Sequence, residues 1–136
     1  MMFERDYLMR MLSQLIQGIV RSMELRRGED DPKAAADSLE AVIGQATDID
    51  GSILLGLSPE SIADILQVSG TDPGVVEFVA RSLLLAADYL DDAGEALLAD
   101  LRRNQGRALI SSFGLVVDEG VRAEDAMEAY VESMRS

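Results

Sequence analysis

Each of the three prolines in the sequence directly follows a residue whose side chain can cap a helix. The pairs are Asp31-Pro32, Ser58-Pro59 and Asp72-Pro73. An Asp or Ser oxygen can accept a hydrogen bond from a free N–H of the first helical turn. Proline suits the first helical position because the N–H that it lacks would have no partner within the helix. With no alternating β-branched runs and no Asn-Gly turns, the sequence predicts an all-α fold.

The spacing of apolar residues predicts five or six helices. Their expected ranges are about 3–27, 32 to near 44, 59–70, 73 to about 89–92 and about 95–112, followed by a last helix that contains Met127, Tyr130, Val131 and Met134. Residues 53–57 are expected to form a short apolar turn. Gly106 is expected to weaken the fifth helix, since an interior glycine costs about 1 kcal/mol relative to alanine.

The helix that begins at Pro73 is apolar around most of its circumference, which predicts a central position in the core. Residues 1–136 contain no low-complexity linker, and a chain of this length can bury the core of one domain. We therefore expect a single all-α domain of antiparallel helical hairpins. TPR-like stacking of these hairpins is compatible with the pattern, although residues do not recur at the TPR period of about 34.

The residue types that the chain lacks exclude several kinds of active site. There is no Cys and no His, which removes thiolate chemistry, a histidine general base and the usual zinc ligands. The single lysine, Lys33, is expected at a helix N-terminus, where it is an unlikely Schiff-base residue because such lysines are normally desolvated. No pattern indicates a cofactor, and we expect a protein that is not an enzyme.

The net charge of −13 is concentrated in the middle of the chain. Residues 31–100 contain two basic and fourteen acidic residues, whereas residues 1–30 are neutral overall and residues 101–136 carry −1. An acidic surface repels nucleic acids and anionic lipids, so neither is an expected partner. Arg102, Arg103 and Arg107 form a small basic group that could hold a phosphate, but a solvent-exposed helix face is the favoured interpretation.

Two further patterns bear on localisation. No apolar run approaches the roughly 20 residues of a membrane-spanning helix. The N-terminal segment carries Glu4, Arg5, Asp6 and Arg10 within a helical pattern, unlike the uninterrupted apolar stretch of a signal peptide. We therefore expect a cytoplasmic protein.

The segment Thr47–Ser52, with Asp48 and Asp50, begins like a calcium-binding loop. An EF-hand loop that started at Asp48 would need glycine at its sixth position and glutamate at its twelfth. Those positions hold Ile53 and Pro59. The favoured interpretation is that Asp48 or Asp50 caps the short helix that follows, with no metal bound.

Two acidic clusters support an alternative function. The first comprises Asp88, Asp91, Asp92 and Glu95, and the second comprises Glu124, Asp125 and Glu128. Small all-α nucleotide pyrophosphohydrolases hold Mg²⁺ between helices with similarly spaced acids, so a Mg²⁺-dependent hydrolase is the alternative hypothesis. The other interpretation is an acidic corner between helices, with Asp91 or Asp92 as the N-cap of the fifth helix.

The first helix has an apolar face that covers about half of its circumference, wider than the ~100° stripe of an ordinary surface helix. Such a face has to meet two neighbouring helices or a partner chain. The predicted interaction surface consists of Leu8, Met11, Leu12, Leu15, Ile19 and Met23. Methionines near both ends of the chain are either core residues or part of an adaptable surface between the first and last helices. We expect a protein partner, most simply a second copy in a homodimer.

The stretch Phe3-Glu4-Arg5-Asp6-Tyr7-Leu8-Met9-Arg10-Met11 resembles the start of a small family of uncharacterised bacterial proteins. The resemblance covers the first helix and extends to the remainder only in general character. It implies an all-helical, TPR-like domain in a bacterial cytoplasm and carries no catalytic residues. Together with the composition, it favours a non-enzymatic interaction or scaffold module.

Overall fold

The computed structural model describes the backbone of residues 2–47 and 49–135 and the side chains of residues 9–47 and 49–134. Seven helices follow one another along this part of the chain: α1 (Met2–Gly28), α2 (Pro32–Thr47), α3 (Gly51–Leu55), α4 (Pro59–Val68), α5 (Pro73–Asp92), α6 (Ala96–Phe113) and α7 (Ala123–Arg135). No strand occurs in the described backbone, so the all-α prediction is confirmed. The count exceeds the expected five or six because α3 forms where only an apolar turn was expected.

The helix starts marked by proline have the expected caps. Asp31 lies one residue before the start of α2. Its side chain accepts a hydrogen bond from the N–H of Ala34 at 3.0 Å. Ser58 caps α4 and Asp72 caps α5 in the same way, and proline follows each cap at the first helical position. These predictions are confirmed, since the capping bonds connect residues only two or three positions apart.

One expected helix boundary and one expected cap are wrong. Helix α2 continues to Thr47 and does not end near Gly44. A Cβ atom at Gly44 would lie 3.2 Å from Cα of Gly51, so this glycine permits α2 and α3 to approach closely. Asp91 and Asp92 lie in the last turn of α5 and do not cap α6, which begins after Glu95 without a side-chain capping bond.

Helix α5 lies at the centre of the fold, as its sequence predicts. It packs against α1, α2, α6 and α7, and its buried side chains extend from Val75 to Leu90. Buried apolar side chains from all seven helices join in one cluster. The interior therefore forms around a helix that is apolar on nearly every side.

The pairs α1–α2 and α5–α6 are antiparallel. In the first pair, Gly18 lies against Val42, and the Ser22 hydroxyl donates to the carbonyl oxygen of Ala35 at 2.9 Å. In the second pair, a Cβ atom at Gly106 would lie 3.2 Å from the carbonyl oxygen of Ala80. Gly106 is therefore a contact point between two helices rather than only a weak point within one.

None of the helices in the described residues has the combination of length and apolar character that crossing a membrane requires.

Candidate functional site

The predicted interaction surface on α1 is largely covered by the chain itself. Leu15, Ile19 and Met23 are buried in the core, so these three residues cannot form an external contact. Helices α2 and α5 supply the two neighbours that the wide apolar face requires. Met11 and Leu12 are partly buried, and the Leu8 side chain lies outside the described residues.

The exposed part of the apolar face lies further towards the start of α1. Gly18 of α1 lies opposite Val42 of α2. Met9 lies nine residues before Gly18, but α2 ends only five residues after Val42. Because the two helices are antiparallel and rise equally per residue, Met9 lies past the end of α2. Its side chain is 60% exposed.

This end of α1 and the end of α7 share an apolar cavity of about 330 Å³. We call this surface the α1–α7 patch, lined by Met9, Leu12, Ser13, Ile16, Gln17 and Met134. Met134 is 40% exposed, and the buried Ile16 forms part of the floor. The lining side chains carry no charge, and its methionines can adjust to the shape of a partner.

Arginines form ion pairs with three residues of the first acidic cluster. Arg103 of α6 pairs with Asp88 at 3.2 Å and with Asp91 at 2.7 Å. Arg26 of α1 pairs with Asp92 at 3.2 Å, and the hydrogen bond from this pairing raises the pKa of the arginine. Glu95 is exposed at the start of α6.

Two residues of the second acidic cluster are likewise paired with an arginine. Arg27 at the end of α1 contacts both Glu124 and Glu128 of α7, and Asp125 is exposed. In the described part of the chain, no group of three or more acidic side chains is placed to hold a metal ion. Five of the seven carboxylates that the alternative hydrolase would use are therefore paired with guanidinium groups of the same chain.

Both acidic clusters lie near Tyr89, which is buried at the end of α5. Burial is the main cause that raises the pKa of its phenol, and the nearby charges of Glu124 and Asp88 act in the same direction. Its hydroxyl has no hydrogen-bond partner among the described residues. Tyr89 is therefore a neutral core residue and a poor acid–base group.

Asp50 caps α3, as the sequence predicts. Its carboxylate accepts hydrogen bonds from the N–H of Ser52 at 2.9 Å and from the Ser52 hydroxyl at 2.6 Å. These bonds, led by the one from the hydroxyl, lower the pKa of Asp50. Asp48, the other candidate calcium ligand, lies outside the described residues.

The three arginines of α6 do not form one solvent-exposed face. The Arg102 side chain is only 7% exposed and pairs with Glu40 of α2 at 3.2 Å. It also donates to the Leu55 carbonyl oxygen at 2.9 Å and to the side chain of Gln105. The expectation of an exposed face is wrong for Arg102, because its partners come from α2 and α3, distant in sequence.

Arg103 and Arg107 line a second cavity, of about 290 Å³, between α5, α6 and the start of α7. Arg81 and Arg122 line it too, and we call it the arginine cavity. The Nε of Arg81 donates a hydrogen bond to Glu77 at 3.0 Å. The Arg81 guanidinium group lies over the Tyr130 ring, 4.8 Å from its centroid. One signal was available in the sequence, since Arg103 and Arg107 are four residues apart and so share a helix face. Arg81 and Arg122 join them only through tertiary packing.

Comparison of the chain with protein-family models, with curated proteins and with solved structures found no match. The resemblance of the first helix to a family of bacterial helical proteins therefore stays a prediction. Function is inferred below from the α1–α7 patch and the arginine cavity.

Proposed function

We propose that this chain is a non-enzymatic protein-interaction or scaffold module that forms a homodimer through the α1–α7 patch. The observation that carries the proposal is the exposure of Met9 and Met134 around an apolar cavity at one end of the molecule. Burial of this surface by a partner would remove apolar area from water, the main favourable term in most protein association.

The distribution of charge is compatible with a second copy as the partner at this patch. Two chains that each carry −13 repel one another, most strongly through residues 31–100. The patch itself is uncharged, and residues 1–30 are neutral overall. Contact between two copies of the patch therefore brings the least acidic parts of the molecules together.

The proposal places the module in the cytoplasm and assigns it no cofactor, nucleic acid or membrane. Its support is the acidic charge together with the pairing of both acidic clusters with Arg26, Arg27 and Arg103. The antiparallel pairs α1–α2 and α5–α6 support a scaffold with TPR-like stacking. A Mg²⁺-dependent hydrolase would first have to break these arginine pairs.

The proposal is tested by light scattering coupled to size-exclusion chromatography at high micromolar concentration. We expect a dimer for the wild-type chain and a monomer for Met9→Glu, since the substitution places two like charges within one interface. Met9 is exposed, so the change leaves the core intact.

Val68→Glu is the matched control, because Val68 is an 89% exposed apolar residue on α4, outside the patch. This variant should remain dimeric. A wild-type chain that is strictly monomeric, or two variants with the same oligomeric state, would contradict the proposal.

A further inference from the structure

We propose that the arginine cavity binds a small organic anion, with an oxyanion group on Arg107 and an apolar portion against the cavity wall. The oxyanion is a carboxylate or a phosphate, since both match the planar fork of a guanidinium group. The cavity is separate from the α1–α7 patch, and the two surfaces share no lining residue.

Positive charge is concentrated at this cavity in an otherwise acidic protein. Its lining contains four arginines and three acidic residues, whereas the whole chain has 12 basic and 25 acidic residues. The charged lining residues thus sum to +1 in a chain that carries −13. Three of the lining arginines also pair with carboxylates outside the lining, namely Glu77, Asp91 and Glu124, so an anion is favoured by the available guanidinium donors rather than by net charge.

Two of the four arginines are fixed in place by this chain. Arg81 donates to Glu77 and to the Val116 carbonyl oxygen, and Arg103 donates to Asp88 and Asp91. Both side chains are largely buried. Their positions are therefore pre-organised, but their charge is compensated by the paired carboxylates, so the ligand-binding donors must come from the other arginines.

Arg107 is a lining arginine with available N–H donors, and Arg122, 3.8 Å from Glu124, is a second. Arg107 is half exposed, and its Nε donates to Glu119 at 2.8 Å. Among the described residues, its two terminal nitrogens have no hydrogen-bond partner, and a guanidinium group has five N–H donors in total. An incoming oxyanion can bind these nitrogens and compete with the Glu119 carboxylate.

The remainder of the lining suits an apolar group of limited size. Leu84, Val117, Val121 and Met127 contribute to the wall, and Val121 is exposed in the segment between α6 and α7. A volume of about 290 Å³ is near the lower limit for small-molecule sites, which range over roughly 300–1,000 Å³. At about 30 Å³ per water-sized group, the ligand has roughly ten non-hydrogen atoms or fewer.

The probes for this proposal are hexanoate, its neutral analogue hexanamide, and inorganic phosphate. Each is titrated into the full chain, and binding is measured from backbone amide chemical shifts in NMR spectra. We expect hexanoate to bind more tightly than hexanamide or phosphate, with the largest shifts in residues that line the arginine cavity. Equal binding of hexanoate and hexanamide would overturn the proposal, as would binding of phosphate alone or shifts confined to other residues.

Two substitutions at one ion pair should act in opposite directions. Arg107→Gln removes the ligand-binding donors and should weaken hexanoate binding about tenfold. Glu119→Gln releases Arg107 and removes an acidic group, so it should strengthen binding severalfold. Damage to the loop would instead weaken binding in both variants.

Arg21→Gln and Glu29→Gln are the matched controls, because each makes the same change in net charge at an exposed position outside the cavity. Both should bind hexanoate as the wild type does. The proposal fails if Arg107→Gln binds hexanoate like Arg21→Gln, or if both cavity variants change the affinity in the same direction.

Discussion

At the scale of single residues, two helical glycines have opposite surroundings. A Cβ atom at Gly106 would lie 3.2 Å from the Ala80 carbonyl oxygen and 3.2 Å from a Leu84 methyl carbon. At Gly28, the last residue of α1, nothing lies within 4 Å of the added carbon. The same residue type thus provides a close contact between helices at one position and leaves open space at the other.

Alanine substitution separates these two situations. We expect Gly106→Ala to lower the free energy of unfolding by roughly 1–3 kcal/mol, because the backbone of α5 cannot move away without disturbing the core. Gly28→Ala should raise it by up to about 1 kcal/mol through helix propensity alone. Urea denaturation measures both values. A Gly106→Ala variant as stable as Gly28→Ala would show that α5 and α6 separate easily.

At the scale of helices, Arg102 joins three segments that are distant in sequence. Its guanidinium group connects α6 to Glu40 of α2 and to the Leu55 carbonyl oxygen at the end of α3. Gln105 extends the network by donating to the carbonyl oxygens of Leu55 and Leu57. This polar network provides hydrogen-bond donors for the backbone carbonyl oxygens where α3 ends and the chain turns towards α4.

Arg102→Met should therefore destabilise the fold by roughly 2–4 kcal/mol, since it leaves the Glu40 carboxylate without its partner and removes a donor from the Leu55 carbonyl oxygen and from the Gln105 side chain. Arg21→Met, at an exposed position on α1, should change the free energy of unfolding by less than about 0.5 kcal/mol. The double variant Arg102→Met with Glu40→Gln should recover part of the loss. Equal stability of the Arg102 and Arg21 variants in urea would contradict this role.

At the scale of the whole molecule, the two ends of the chain belong to the same packed unit. The apolar cluster includes Leu15 of α1 and Val131 of α7. Arg27 also contacts Glu124 and Glu128, about one hundred residues further along the chain. No helix contributes a separate cluster within the described residues, and α5 connects the others.

We therefore expect one cooperative unfolding transition. Far-ultraviolet circular dichroism reports on all helices, whereas tyrosine fluorescence reports on Tyr7, Tyr89 of α5 and Tyr130 of α7. The two signals should change at the same urea concentration, as in two-state unfolding of a small domain. Separate midpoints would mean that part of the helical structure unfolds independently of the α5 core.

Features that depend on neighbouring residues were predictable from the sequence. Asp31, Asp50, Ser58 and Asp72 cap helices through bonds that span two or three residues. The predictions failed where the deciding contact was distant, as at Gly44, whose close neighbour Gly51 belongs to another helix. Helix α3 was left out of the expected helix count because five residues are too few to show helical periodicity.

The sequence by itself determined the all-α class, the capped starts of α2 to α5 and the central place of α5, because capping and hydrophobic periodicity act within one helix. Only the tertiary structure decided which apolar and charged residues are accessible. It buried Leu15, Ile19 and Met23, leaving Met9 exposed past the end of α2. It also paired Arg102 with Glu40, 62 residues away, and assembled the arginine cavity from four segments of the chain. Such contacts depend on how helices pack in space, which local residue patterns do not encode.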